Sequence, residues 1–405
     1  MGGGLMQLVA YGAQDIYLTG NPQITFFKVV YRRHTNFSME AIEQTWNGSN
    51  TSDGRCTATI SRNGDLVYRM YLHLEGTTTV QTDNPGNAWI QSVELEIGGQ
   101  KIDKHSGKWM ETWAELTEPN PTGLVNLNVA TTAANATGGS GTLFQRMSGC
   151  GGVGDQGDTT TNRRFHVPLY FWFCRNPGLA LPLIALQYHE VKIILEHKFT
   201  SLFASAGMVN KLWADYIYLD TDERRRFAQV SHEYLIEQVQ EQSLTATNLS
   251  HELNFNHPVK ELIWTNSEGA NGAINSSSLV PTHSHVDQTF QLKLNGHDRM
   301  ASRPFEYFSR VQVWQHHTGY GGLVSSAASV DGVNSANDSI CVYSFALKPE
   351  EHQPSGTCNF SRIDNAQLSS SHALEATDGD SNVMFAINYN VLRIMSGMGG
   401  LAYSN

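Results

Sequence analysis

Twice in this chain a run of alternating residues ends in a pair suited to a tight reversal. Val93-Glu-Leu-Glu-Ile97 runs into Gly98-Gly99, and Gln291-Leu-Lys-Leu294 runs into Asn295-Gly296. Alternation places apolar side chains on one face of a strand, while Gly and Asn supply the positive φ that a two-residue hairpin turn demands. A chain punctuated in this way is constrained to antiparallel sheet. A second echo joins the two regions. Pro168-Leu-Tyr-Phe-Trp-Phe173 leads through Asn176-Pro177-Gly178 to a returning strand at Val191–Leu195. Val342-Tyr-Ser-Phe-Ala-Leu347 leads past Pro349 and Pro354-Ser-Gly356 to Asn359–Ile363. Aromatic strand, Pro/Gly corner and second strand recur, which points to a duplicated fold.

The 405 residues are enough for two such domains, and 40% hydrophobic residues with 10% aromatics supply their cores. Phe26, Phe27, Trp172, Phe173, Phe305 and Phe308 are expected inside. Charged residues are only 16%, and Asn, Ser, Thr and Gly fill the difference, as many short strands joined by turns require. Helical patterning is confined to Lys108–Leu116, with a turn at Leu181–Leu186. Three segments read as long loops displayed on one surface: Pro119–Asn162, Asn266–His283 and His317–Asp338. The charge-dense Asp220–Phe227 reads either as a solvated connector or as a linker whose Arg and acidic side chains pin the domains together.

The net charge of −11 argues against direct nucleic-acid binding, which needs an excess of Lys and Arg to neutralise phosphates. Arg32-Arg33, Arg163-Arg164 and Arg224-Arg225-Arg226 are short clusters suited to salt bridges. The five cysteines are widely spaced without a CxxC pair, so no disulfide framework is expected. No apolar run approaches the roughly 20 residues of a membrane span. The N-terminus lacks the basic region and apolar core of a signal peptide, so a reducing cytosolic setting is expected.

Sites of chemistry are sparse. Among sixteen histidines, His283 with His285 and His316 with His317 are close in sequence, but no HExxH or cysteine partner completes a metal set. Gly149-Cys150-Gly151 reads as an unreactive loop cysteine. Glu94 and Glu96 share a strand face as solvated carboxylates. Lys108 is followed by Trp109 where a phosphate loop needs Ser or Thr, and Gly397-Met-Gly-Gly400 lacks a strand–helix context. No catalytic residue, metal site or cofactor is expected. Of the Asn-x-Ser/Thr triplets, Asn47, Asn50, Asn135, Asn275 and Asn337 fall in turn- or loop-like sequence and are the candidate glycan positions.

Four segments carry a resemblance to a known family. They are Leu8–Phe37 with its Gly20-Asn-Pro22 turn and an expected aromatic strand Ile24–Tyr31, Ser61-Arg-Asn-Gly-Asp65, Asn176–Glu190, and Tyr389–Tyr403. Together they resemble the major capsid proteins of the nucleocytoplasmic large double-stranded DNA viruses of algal and amoebal hosts. Periodicity does not choose among sandwich, barrel and jelly roll. The resemblance implies two consecutive eight-stranded jelly rolls, all-β, with an arm at residues 1–22, a first domain at 23–222, an ordered linker at 223–231 and a second domain at 232–405. It implies a non-enzymatic shell protein: a homotrimer shaped as a pseudo-hexagonal capsomer that tiles an icosahedral virion. Its expected partners are neighbouring capsomers, minor capsid proteins, the inner viral membrane and, through outer loops, the host surface, with assembly in the host cytoplasm. Rival readings are a minor capsid or vertex protein of the same fold and a carbohydrate-binding β-sandwich.

Overall fold

The computed structural model describes residues 3–10, 12–77, 84–120, 142–153, 162–201, 203, 208–270, 274–280, 287–319, 321, 323–325, 336–374 and 381–403. Residues Met1–Asn36 form one unit and Phe37–Asn405 another. The first unit holds two short helices, α1 (Gly3–Val9) and α2 (Ile16–Thr19), with Gly12 N donating to Asp15 Oδ2 at 2.7 Å. The expected strand at residues 24–31 is absent, and Phe26 and Phe27 are 86% and 99% exposed, so neither fills a core. The run has strand-forming residues, but among the described residues its unit contains no strand to pair its backbone groups.

The second unit begins with β1 (Phe37–Gln44), β2 (Trp46–Gly48), β3 (Gly54–Thr59), β4 (Leu66–Thr77), β5 (Ile90–Ile97) and β6 (Gln100–Ser106). Helix α3 (Gly107–Thr117) follows, capped by Ser106 Oγ, which accepts from Trp109 N at 3.2 Å. Then come α4 (Leu143–Ser148), β7 (Asn162–Pro168), α5 (Trp172–Arg175), β8 (Leu181–Pro182), β9 (Val191–His197), β10 (Val209–Leu219) and α6 (Thr221–Gln229). The second half comprises β11 (His232–Leu244), β12 (Ser250–Glu252), β13 (Pro258–Ala270), β14 (Ile274–Val280), β15 (Thr289–Leu294), β16 (His297–Asp298) and β17 (Arg303–Pro304). A π-helical turn (Tyr307–Val311) leads into α7 (Gln312–His316). The chain closes with β18 (Leu323–Ser325), β19 (Ala336–Asp338), β20 (Ile340–Ser344), β21 (Cys358–Asn359), β22 (Ala366–Ser370), β23 (Ser381–Met395) and β24 (Met398–Leu401).

In the first half β1-β10-β4-β7 form one sheet and β3-β9-β5-β6 another. In the second, β11-β23-β13-β20 and β12-β22-β15-β16 do the same. Counting the principal strands of each half in chain order, both halves read first-eighth-third-sixth in one sheet and second-seventh-fourth-fifth in the other. This order is that of a jelly roll, and the chain contains it twice.

The two hairpins legible in the sequence join the fourth and fifth strands of their respective halves. Ile97 pairs with Gln100 across Gly98 (φ 59°) and Gly99 (φ 84°), and Leu294 with His297 across Asn295 (φ 50°) and Gly296 (φ 76°). A third, at Ser396 (φ 52°) and Gly397 (φ 80°), joins β23 to β24. Other expectations differ from the fold. The aromatic run after Pro168 is not a strand, because the sheet ladder ends at that proline; Leu169–Phe171 are irregular and the turn of α5 carries Trp172 and Phe173 inward. Asn266–His283 contains the polar hairpin of β13 and β14, in which Asn266 pairs with Val280 and Ala270 with Ile274. Within His317–Asp338, β18 pairs with β19.

Each half has a core between its sheets. Leu72, Leu95, Ile193 and Leu212 meet in the first. Trp264, Phe290 and Phe308 cluster in the second, with ring centroids 5.2 to 6.0 Å apart. Trp172, Phe173, Phe305 and Phe308 are buried as expected.

Candidate functional site

The seam between the two jelly rolls gathers most of the buried charge and three of the four resemblance segments. Ser61–Asp65 forms the corner between β3 and β4. There Arg62 Nη1 donates to Gln187 O at 2.8 Å, and Nη2 donates to Leu186 O and to His189 O. Those carbonyls belong to Asn176–Glu190, whose Tyr188 N donates to Gly397 O at 2.9 Å. His189 Nδ1 lies 2.9 Å from Gly399 O, and Leu401 N donates to Gln100 Oε1 at 3.2 Å. A Cβ on Gly399 would come within 2.6 Å of Leu186 Cδ2, so any larger residue requires that buried side chain to shift. The C-terminal hairpin of the second half is thus clasped by the first.

Deeper in the seam, Glu237 of β11 is 3% exposed and holds Arg175 Nη2 at 2.7 Å and Lys260 Nζ at 2.8 Å. Lys260 reaches it through a bulge: Val259 pairs with Asn388 and Glu261 with Ile387, leaving Lys260 as the extra residue. Arg175 and Lys260 lie 5.1 and 5.9 Å from the Trp113 ring. Burial pushes the Glu237 carboxyl up, but Arg175 and Lys260 more than offset this and hold it well below the usual carboxylate range. Burial pulls the Lys260 ammonium down, against the pull of Glu237.

Beside this group His317 bridges two carboxylates, with Nε2 3.0 Å from Glu261 and Nδ1 3.1 Å from Glu350. Burial lowers its pKa, yet the two carboxylates more than compensate and raise it to about 9. The next residues close the C-terminus of α3 from the other half. Thr318 Oγ1 donates to Thr117 O at 3.1 Å, Gly319 N to Leu116 O at 2.7 Å and Gly321 N to Glu115 O at 2.9 Å. A bulge on the facing edge of β6, at Ile102, completes the seam. Gln238 Nε2 donates to Ile102 O, and Val239 N donates to Asp103 Oδ1 at 3.1 Å.

The residues weighed in the sequence fall as follows. Glu94 meets Lys104 at 3.1 Å, and Glu96 lies opposite Lys192 and Lys101 in the ladders, so the two carboxylates are matched to lysines. Cys150 is buried, and burial with the nearby Glu111 raises its thiol well above the ordinary value. His316 Nδ1 sits 3.2 Å from Leu347 O, while His283 and His285 lie outside the described residues. Among the described residues no cluster of three His, Cys, Asp or Glu is arranged to hold a metal. Asn47 is exposed on β2, and Asn50 is half-buried with its carbonyl accepting from Asn210 Nδ2. Asn275 lies on β14 and Asn337 on β19, and Asn135 lies outside the described residues. Arg164 pairs with Glu75 at 3.0 Å. The Asp220–Phe227 segment is the ordered helix α6, and its Arg224 binds the buried Asp65 at 2.8 Å. That contact pins the linker to the first half; the ties between halves come from the seam. The pairings of Glu237 with Lys260 and of Glu261 with His317 are not legible in the sequence. The available signal was Lys260-Glu261 inside the apolar run Val259–Trp264.

Two family profiles match this chain, one in each half. One, described as major capsid protein N-terminus, covers residues 25–220, and the other, large eukaryotic DNA virus major capsid protein, covers residues 223–400. The chain belongs to the major capsid proteins of large eukaryotic DNA viruses. It is 52% identical over 422 residues to the major capsid protein of Pyramimonas orientalis virus, with 100% of both chains covered. It is 41% identical over 473 residues to that of Paramecium bursaria Chlorella virus 1, again with 100% of both covered. The crystal structure of VP54 from PBCV-1 matches with a TM-score of 0.74 at 37% identity, covering 94% of this chain and 100% of that one. This major capsid protein is therefore a structural component of a virion, built as a double jelly roll.

Proposed function

We propose that the chain assembles as a homotrimer with a pseudo-hexagonal outline and that these capsomers tile an icosahedral shell. The observation that carries this reading is the repeated strand order. Two jelly rolls of one topology in each chain give six similar wedges in three chains, so a trimer presents near-hexagonal edges to its neighbours. The work is done by buried interfaces, without catalysis and without direct contact to nucleic acid. The arm at residues 1–22 ties neighbouring capsomers together. Minor capsid proteins and the inner viral membrane meet the inner face, and outer loops meet the host surface after assembly in the host cytoplasm. Glycans, where attached, occupy the loop-like positions among Asn47, Asn50, Asn135, Asn275 and Asn337, and intact mass with peptide mapping of virion protein tests this.

The deciding experiment is solution mass by size-exclusion chromatography with light scattering. The expected species has three times the 44.8-kDa chain mass and resists heating. A chain that remains monomeric over a wide concentration range overturns the reading. Deleting residues 1–22 should leave the trimer intact and impair assembly of larger shells.

A further inference from the structure

One half of this chain already shows how a jelly roll of this type holds its neighbour. Helix α3, which follows the fifth strand of the first half, lays Trp109 and Trp113 on the outer face of the second half's β11-β23-β13-β20 sheet. Trp109 lies 5.2 Å from Phe385 of β23, and Trp113 sits against Lys260 of β13. Both indoles are buried there.

The helical segment at the corresponding place in the second half is the π-helical turn and α7. Its inner side is buried through Phe308, Ser309, Gln312 and Val313. Its outer side presents Trp314, 82% exposed, and Val311, 40% exposed. The corresponding outer sheet face of the first half borders an open cavity, one wall of which is Trp113 with Arg175 and Glu350 at the seam. Arg69 and Tyr71 of β4, His166 of β7 and Asp215 of β10, with Phe144 and Met147 of α4, also line this cavity of about 780 Å³. The chain thus carries an exposed indole on one copy of the fold and, at the matching place on the other, an open cavity with room for a second ring beside Trp113.

We propose that Trp314 of one chain inserts into this cavity on the first jelly roll of a second copy of the same chain. The proposal rests on the trimer reading and names its contact. The intrachain contact supplies the template, down to the cation beneath the ring. Strand β13 offers Lys260 to Trp113, and the corresponding strand β4 carries Arg69, now 5.2 Å over the Tyr68 ring, at the edge of the cavity the indole would enter. The Asp215 carboxylate on the neighbouring strand provides an acceptor for the indole N–H. Indole and socket are different surfaces, so the contact is head-to-tail, and such contacts end only by closing into a ring.

Two variants of the full chain test this: W314E, which removes the indole, and M147E, which places a charge in the socket. Both positions are exposed, and matching far-ultraviolet spectra and unfolding midpoints for the monomers verify the fold. Each variant alone should be monomeric where the wild type is trimeric, with the midpoint concentration of assembly raised roughly tenfold or more. W314F should retain the trimer. An equimolar mixture of W314E and M147E should give a species of twice the 44.8-kDa chain mass, because one intact indole and one intact socket can meet once and no ring can close. A wild-type trimer that W314E leaves unchanged, or a mixture that stays monomeric, overturns this contact while the trimer stands. A wild-type chain that is itself monomeric removes both.

Discussion

Lys260 owes its position to one surplus residue. The bulge in β13 turns a side chain that would otherwise lie along a sheet face into the seam, where it meets Glu237 and the carbonyl of Pro349. A buried ion pair adds little when compared with apolar replacements, but breaking it from one side leaves a charge without a partner. E237Q should therefore lower stability by about 3–5 kcal/mol, read from the denaturant midpoint, and K260M by a similar amount. The double variant should lose less than the sum by about 1–3 kcal/mol. Strict additivity would show that the two side chains do not act as a unit. The sequence displays Lys260 and Glu261 as misfits in an apolar strand, but their partners Glu237 and His317 lie far away in the chain. Spacing along a chain carries no record of such pairs, because they are set by how two finished domains meet.

At the level of elements, the hairpins were the most legible features, since Gly98-Gly99 and Asn295-Gly296 satisfy a local backbone demand that needs no tertiary partner. The same logic makes a prediction at the third hairpin. Ser396 holds φ 52° at the first turn position, which Asn tolerates better than Ser. S396N should stabilise the chain by about 0.5 kcal/mol, measured as a small rise in denaturant midpoint at unchanged slope. A fall would mean that the Ser396 hydroxyl serves the seam. Elements that depend on neighbours were misread. Ile24–Tyr31 has strand-forming residues and no strand to pair with among the described residues of its unit, whereas the Ser/Asn-rich β13–β14 hairpin is paired through its backbone in spite of its composition. Helix α3 was legible because its Ser106 cap and apolar spacing are both local.

For the whole molecule, the seam ties the stability of the two halves to pH. His317 has a folded pKa of about 9, above the roughly 6.5 of an unfolded histidine. A raised pKa means that the folded state holds the proton more tightly, so the contribution is complete below about pH 6.5 and is lost as pH rises through about 9. Its size is on the order of 3 kcal/mol. The unfolding midpoint of the wild type should fall between pH 7 and pH 10, and that of H317Q should fall less. Parallel profiles would remove His317 as the source. G319A tests the adjoining cap: its Cβ would lie 2.4 Å from Glu115 O, and a loss of about 2 kcal/mol or more is expected in the same unfolding assay. Ser61–Asp65, Asn176–Glu190 and Tyr389–Tyr403 prove to be one clasp, a relation visible only once the chain is folded.

Helix α6 is nine residues long and is anchored by Arg224 to Asp65, so the second half begins almost where the first one ends. Two wedges joined by so short a tether are always produced in equal number and always meet at high effective concentration. In a closed ring of three chains, half of the wedge-to-wedge contacts are then made during folding, before any encounter in solution. Nucleating the proposed trimer would then be a three-body event instead of a six-body one, with no separate control of subunit stoichiometry.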